Sequence, residues 1–254
     1  MMQQSSVQAI YHCRYFDQWP WLVHGVTTRR FCQFSASMDD TLLELINYFG
    51  LNNVTVVVPQ QKHTNKVRVV SDLTLRRINR QQMFVDIPGV DALVTPLTDT
   101  LLTIRTADCV PVQMVDPLER IIGLVHAGWK GTLGRIVQKA IREFIRLGAR
   151  ESNLYLFLGP SVCAEHYTVG EQRIALFRRH FPDCHERFIT GRRLDLIQCN
   201  RLQAMEMGIP PANIRQSDLC TVHHNELFYS FRANDCRPTG DNISFLMIRS
   251  GESR

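Results

Sequence analysis

Short apolar runs recur along the chain. Val54–Val58, Val67–Val70, Ala92–Thr95, Leu101–Arg105, Val112–Val115, Ile121–Val125, Leu154–Leu158 and Ser244–Ile248 are rich in Val, Ile and Leu. Most are bounded by Pro, Gly or Asp, which predicts β-strands. The stretch from Asp116 to Arg120 separates two of them and reads as a hairpin turn. Helical periodicity is strongest from Leu133 to Leu147, where apolar residues at 133, 136, 137, 140, 141, 144 and 145 keep a 3.6 period before Gly148. Further helices are predicted over about 171–180 and 195–207, the latter closed by Gly208 and Pro210-Pro211. A weaker one covers 41–48. Strands dominate early and helices are interspersed later, without regular alternation. The pattern predicts an α+β fold of mixed sheets with helices outside. No repeat or low-complexity linker interrupts it, so residues 1–254 are read as one domain.

Composition sharpens this picture. A hydrophobic fraction of 44% and a charged fraction of 21% suit a chain with a sizeable core. The net charge of +5 is scattered; Arg76-Arg77 with Arg80, Arg178-Arg179 and Arg192-Arg193 are too short for a nucleic-acid-binding tail. No nucleic-acid partner is expected, and the charge suits small anionic substrates. The first residues lack the pattern of a signal peptide. No apolar run approaches the roughly 20 residues needed to cross a bilayer. A cytoplasmic protein with no membrane partner follows as the expectation, and its eight cysteines then read as reduced thiols. None forms a C-x-x-C pair.

Three segments carry candidate chemistry. His126 ends an apolar run and is followed by Ala-Gly-Trp-Lys-Gly and then the best helix, so a free helix N-terminus faces a glycine-bracketed turn. Cys109 follows Asp108 between two apolar runs, with Pro111 behind it. It reads as a ligand, a nucleophile or a small buried residue. His63 lies in the polar loop Pro59–Lys66 between two predicted strands. Two imidazoles and one thiolate leave a tetrahedral zinc with an open position, as catalytic sites require. The same trio also permits a metal-free Cys-His hydrolase. His12, His180 and His185 are read as surface residues, and Cys13 and Cys199 as packing residues. Cys163 is placed near the site, and a second metal site at His223-His224 ranks below a surface reading.

Together the motifs resemble the laccase-domain family, the multicopper polyphenol oxidoreductases now regarded as purine nucleoside phosphorylases. They run from His24-Gly25-Val26-Thr27-Thr28-Arg29 through Gln61-Lys62-His63, Asp91-Ala92-Leu93-Val94-Thr95 and Thr106-Ala107-Asp108-Cys109-Val110-Pro111 to His126-Ala127-Gly128-Trp129-Lys130-Gly131. They continue through Leu158–Ser161, Tyr167–Gly170, Asn200–Leu202 and Cys220-Thr221 to Phe228-Tyr229-Ser230-Phe231-Arg232, in the family's order.

The resemblance implies a sandwich-like core of mixed sheets and a zinc site on His63, Cys109 and His126. It implies phosphorolysis of adenosine, inosine and methylthioadenosine, and deamination of adenosine. Purine nucleoside and phosphate are then the partners, in a monomer or homodimer. Arg29 is the first candidate for phosphate, supported by Lys130, with Gln61 also at the substrate. Cys109, Asp108 and Arg29 are the candidate catalytic residues. Asp108 is read either as an orienting or proton-shuttling group or as a turn cap. The H-x-E and P-C-x-x-C signature of zinc deaminases is absent. The rival readings are a cysteine hydrolase of cell-wall precursors or amides, a copper-dependent polyphenol oxidase, and a non-enzymatic metal-binding module. Three departures surround the expected substrate site. Arg30–Asp40 lacks the family's glycine-rich segment, Lys130 stands where the family has Arg, and Ala233 follows Arg232 in place of a second Arg.

Overall fold

The computed structural model describes residues 9–31, 37–72, 83–237 and 239–251. Arg76, Arg77, Arg80, Cys32 and most of the divergent stretch after Phe31 lie outside these residues. The strands are β1 (Ile10–Tyr11), β2 (Leu22–Thr27), β3 (Thr55–Gln60), β4 (Val67–Val69), β5 (Phe84–Pro88), β6 (Ala92–Thr95) and β7 (Thr100–Thr106). They continue with β8 (Val110–Asp116), β9 (Ile121–Ala127), β10 (Tyr155–Leu158), β11 (Ile189–Thr190), β12 (Arg193–Leu194), β13 (Ile214–Gln216) and β14 (Asn242–Ile248). Five α-helices occur among the described residues: α1 (Met38–Tyr48), α2 (Trp129–Leu133), α3 (Ile136–Arg146), α4 (Glu171–His180) and α5 (Leu196–Glu206).

Two six-stranded mixed sheets form the centre, in the orders β1-β2-β14-β7-β3-β5 and β13-β10-β8-β9-β6-β4. Alternating side chains explain how they stack. In β14, Ile243, Phe245 and Met247 pack with Leu42, Leu45 and Ile46 of α1. The opposite-facing Leu246 and Ile248 meet Ile122 and Leu124 of β9 between the sheets. The other face of β9, through Ile121, Val125 and Ala127, packs under α3, α4 and α5. The layers are therefore helix, sheet, sheet, helices. Central strands are covered on both faces, which is why they read as apolar runs rather than strict alternation. Gly123 of β9 makes room for Phe144 of α3; a Cβ there would lie 2.5 Å from the ring.

The mixed sheets flanked by helices agree with the sequence expectation, and β8 and β9 form the expected antiparallel hairpin. Asp116 Oδ1 closes its turn by accepting from the N–H groups of Leu118 and Glu119. The expected helix from Leu133 to Leu147 is instead α2 and α3, broken at Arg135, whose φ of +58° is left-handed. Asn65 Nδ2 donates to the Gly134 carbonyl at this break. The third and weakest expected helices are Leu196–Glu206 and Met38–Tyr48. No helix among the described residues is long and apolar enough to cross a membrane.

The topology gathers several chain segments at one rim. β3 and β7 are parallel neighbours, so their C-terminal ends coincide. From there the chain crosses to the second sheet twice, through the His63 loop to β4 and through residues 107–109 to β8. The start of β8 pairs with the end of β9, and the start of β6 pairs there too.

Candidate metal centre and cavity

The ligating atoms of His63, Cys109 and His126 all lie within 4.8 Å of one another at this rim. The two imidazole rings meet edge to face, with centroids 4.8 Å apart. His63 is exposed and left-handed, with φ +54°, while His126 is buried. Gly128 is what lets the three converge. A Cβ there would lie 3.0 Å from Cys109 Sγ and 3.1 Å from His63 Cδ2.

Asp91, which pattern reading left inside a strand motif, organises the trio from behind. It is fully buried, and its carbonyl accepts from the His126 N–H across the β6–β9 ladder. Its Oδ1 lies 2.8 Å from His126 Nδ1 and accepts from the His63 N–H at 3.0 Å. Its Oδ2 accepts from the N–H of Lys62 and from both the N–H and Oγ1 of Thr64. An ionised carboxylate only accepts, so the proton sits on Nδ1 and the other ring nitrogen faces Cys109. A carboxylate behind a ligating histidine fixes the ring and its tautomer.

The electrostatics follow from this packing. Burial alone would push the Cys109 thiol up, but the charge of His126 and hydrogen bonds from both imidazoles bring it down to about 6. Burial opposes a charged His126; the Cys109 thiolate and Asp91 overcome this and raise it to about 9. Burial likewise opposes an ionised Asp91, yet its bonds from His126 and Thr64 hold it at about 2. Each group thus favours the charged form of the other, thiolate beside imidazolium. The donor set, the cradle at Gly128 and the carboxylate behind His126 all fit a divalent ion with nitrogen and sulfur ligands.

The trio floors a cavity of about 510 Å³, within the usual range for small-molecule sites. Gln61 and Asp108 also line it. Gln61 spends both ends of its amide on the Arg105 backbone, donating to its carbonyl and accepting from its N–H. Asp108 is left-handed, with φ +90°, and ties three segments together. It accepts from Thr221 Oγ1 at 2.6 Å, Ser230 Oγ at 2.7 Å and the Arg232 N–H at 2.7 Å. Arg29 and Lys130 are not among the lining residues. Arg29 Nε donates to the Phe228 carbonyl and its guanidinium stacks on Tyr229; exposed Lys130 sits over Trp129. The cations that do line the cavity are Arg105, Arg173 and Arg232. Arg173 stacks on Trp129 at 4.2 Å and Arg232 on Tyr167 at 5.0 Å. Sequence reading assigns none of the three to substrate: Arg173 looks like the solvated face of a helix, Arg105 like a strand end, and Arg232 enters only as the last residue of the Phe228–Arg232 motif.

The sequence pattern of the multi-copper polyphenol oxidoreductase laccase family matches residues 36–249. The chain belongs to this family. Among curated relatives, adenosine deaminase RL5, from an unknown prokaryotic organism, is 33% identical over 76% of this chain and 75% of its own. Purine nucleoside phosphorylase YlmD of Bacillus subtilis is 31% identical over 81% of this chain and 75% of its own. Among solved structures, YlmD of Geobacillus stearothermophilus superposes with a TM-score of 0.75, at 26% identity over 91% of this chain and 93% of that one. The hypothetical protein YfiH of Bacillus licheniformis shares the fold with a TM-score of 0.81, at 24% identity over 95% and 97% of the two chains.

Proposed function

We propose that this chain is a zinc-dependent purine nucleoside phosphorylase acting on adenosine, inosine and methylthioadenosine, with adenosine deamination as a second activity of the same cavity. One observation carries the reading: three convergent metal-ligating atoms floor a cavity lined by three arginines. The names of RL5 and YlmD support purine nucleosides as the substrate class. Two imidazoles and a thiolate suit zinc with one position left for substrate or solvent. When bound, the ion would supply a Lewis acid at the cavity floor.

The remaining work falls to the chain's own residues. In phosphorolysis a phosphate oxygen bonds to the anomeric carbon as the bond to the purine nitrogen breaks. The electron pair leaves with the base, which takes up a proton. Arg105, Arg173 and Arg232 supply the positive charge that holds phosphate. Trp129, Tyr167 and Phe231 offer flat apolar surfaces for the base. Asp108 fixes the Arg232 backbone, and Asp91 fixes His126 and the His63 loop. The reading is tested by incubating the purified chain with inosine and phosphate. Hypoxanthine and ribose 1-phosphate should form, and ammonia from adenosine reports deamination. No free base in the presence of phosphate contradicts the phosphorylase reading.

One observation favours a second reading. Cys109, His126 and Asp91 lie in series, as in a cysteine hydrolase. The third donor, His63, has no task in such a relay, which favours the metal enzyme. A hydrolase would keep its activity after chelation and lose it on alkylation of Cys109.

A further inference from the structure

Among the described residues, a second group brings four ligating atoms together: Cys163, His166, Cys220 and His223, all within 4.8 Å of one another. It shares no residue with the first. We propose that these four side chains bind a second zinc ion, one that is structural.

The sequence carries a signature for it, two C-x-x-H pairs, Cys163-Ala164-Glu165-His166 and Cys220-Thr221-Val222-His223. A search for C-x-x-C passes over both. Local backbone explains the spacing. Cys163 caps the 3-10 turn Ala164–His166, and in such a turn residues three apart project from the same side. Cys220 opens a second turn, its carbonyl accepting from the His224 N–H at 2.9 Å. Ser161 and Cys220 bridge in parallel, and the Cys163 N–H points at Cys220 Sγ, which aligns the two knuckles face to face.

The distances suit a tetrahedron. Zinc bonds of about 2.3 Å to sulfur and 2.0–2.1 Å to nitrogen place ligand atoms roughly 3.3–3.8 Å apart along its edges. His166 Nδ1 lies 3.4 Å from Cys163 Sγ and 3.7 Å from Cys220 Sγ. The His166 and His223 rings meet edge to face, centroids 4.1 Å apart, and a nitrogen of each lies within 4.8 Å of both thiol sulfurs. A neutral cluster explains this poorly, because two thiols against one ring nitrogen make only weak hydrogen bonds. Four protein ligands close the coordination shell, the arrangement of a structural site, whereas the Cys109 centre has three.

The position says what the ion would hold. Tyr167, directly after His166, lines the cavity. Thr221, directly after Cys220, donates to Asp108, which in turn fixes Arg232. The zinc therefore staples the two segments that build one cavity wall, and its binding free energy contributes to folding.

Elemental analysis of the full chain, produced with zinc and purified without chelator, tests this. Wild type should hold two zinc ions per chain, and His223→Ala and Cys109→Ser one each. His223 is exposed, so its variant tests the site even where Cys220→Ser fails to fold. With cobalt in place of zinc, Cys109→Ser should keep thiolate-to-metal absorption, and the double variant should lose it. A Cys109→Ser protein without metal, a His223→Ala protein with undiminished zinc, or a Cys163–Cys220 disulfide in the intact protein would each overturn the proposal. A Cys109→Ser protein that loses no zinc would support the second site while counting against the first.

Discussion

Asp91 and His126 face each other across two neighbouring strands, joined once through the backbone and once through a carboxylate oxygen 2.8 Å from the ring. The same carboxylate accepts three N–H bonds from the loop that presents His63. One buried side chain thus sets two of the three donors. Asp91→Asn keeps the shape but offers an amide where oxygens were needed. It should weaken zinc binding at the Cys109 centre by about 10–100-fold, measured by competition with a chelating indicator.

Gly128 supplies space rather than unusual backbone, since its φ is −70°. Gly128→Ala should fold normally, with an unchanged far-ultraviolet spectrum. Its methyl group would press on Cys109 and His63, so metal content at this centre should fall. A fully loaded Gly128→Ala protein would mean that the three side chains meet differently.

Much of this site was legible in the sequence. His63, Cys109 and His126 stand at strand ends beside polar or glycine-bracketed turns, where functional side chains gather. Asp91 was not, because only strand register shows that it faces His126. The choice of Arg29 as phosphate anchor rested on motif position, and its guanidinium lies instead against Tyr229 and the Phe228 carbonyl. Most of the predicted strands are buried on both faces, as β6, β7, β8, β9 and β14 are, while β4 with its exposed Arg68 is not. β2 was missed because His24 and Gly25 interrupt its apolar run, although all six of its residues are buried. The break at Arg135 was invisible because the apolar period runs straight through it, while a left-handed residue and Asn65 end the helix.

Phosphate should depend on the lining arginines. Arg173→Ala or Arg232→Ala should raise the KM for phosphate on the order of tenfold to a hundredfold, the equivalent of losing a charged hydrogen bond worth about 1.5–3 kcal/mol. Arg29→Ala should leave that KM near wild type and lower thermal stability instead. Phosphate-dependent initial rates separate the two outcomes.

Acid should weaken the fold in two stages. Burial first, with the nearby His12, holds His24 at about 4 against the pull of Asp17. The unfolded chain binds this proton near pH 6.5, so stability is full above that value and declines as pH falls toward 4. Asp91, held at about 2, contributes stability above its unfolded value of 3.8 and loses it below. Urea unfolding at pH 7 and pH 5 should show a drop in wild type that His24→Gln flattens.

Anomalous scattering at the zinc edge, from a crystal of the zinc-loaded protein, tests the central claim most directly. A peak within bonding distance of the His63 and His126 nitrogens and Cys109 Sγ, with one coordination position left to solvent, is the predicted result. A crystal showing these three side chains intact around no anomalous peak would contradict it.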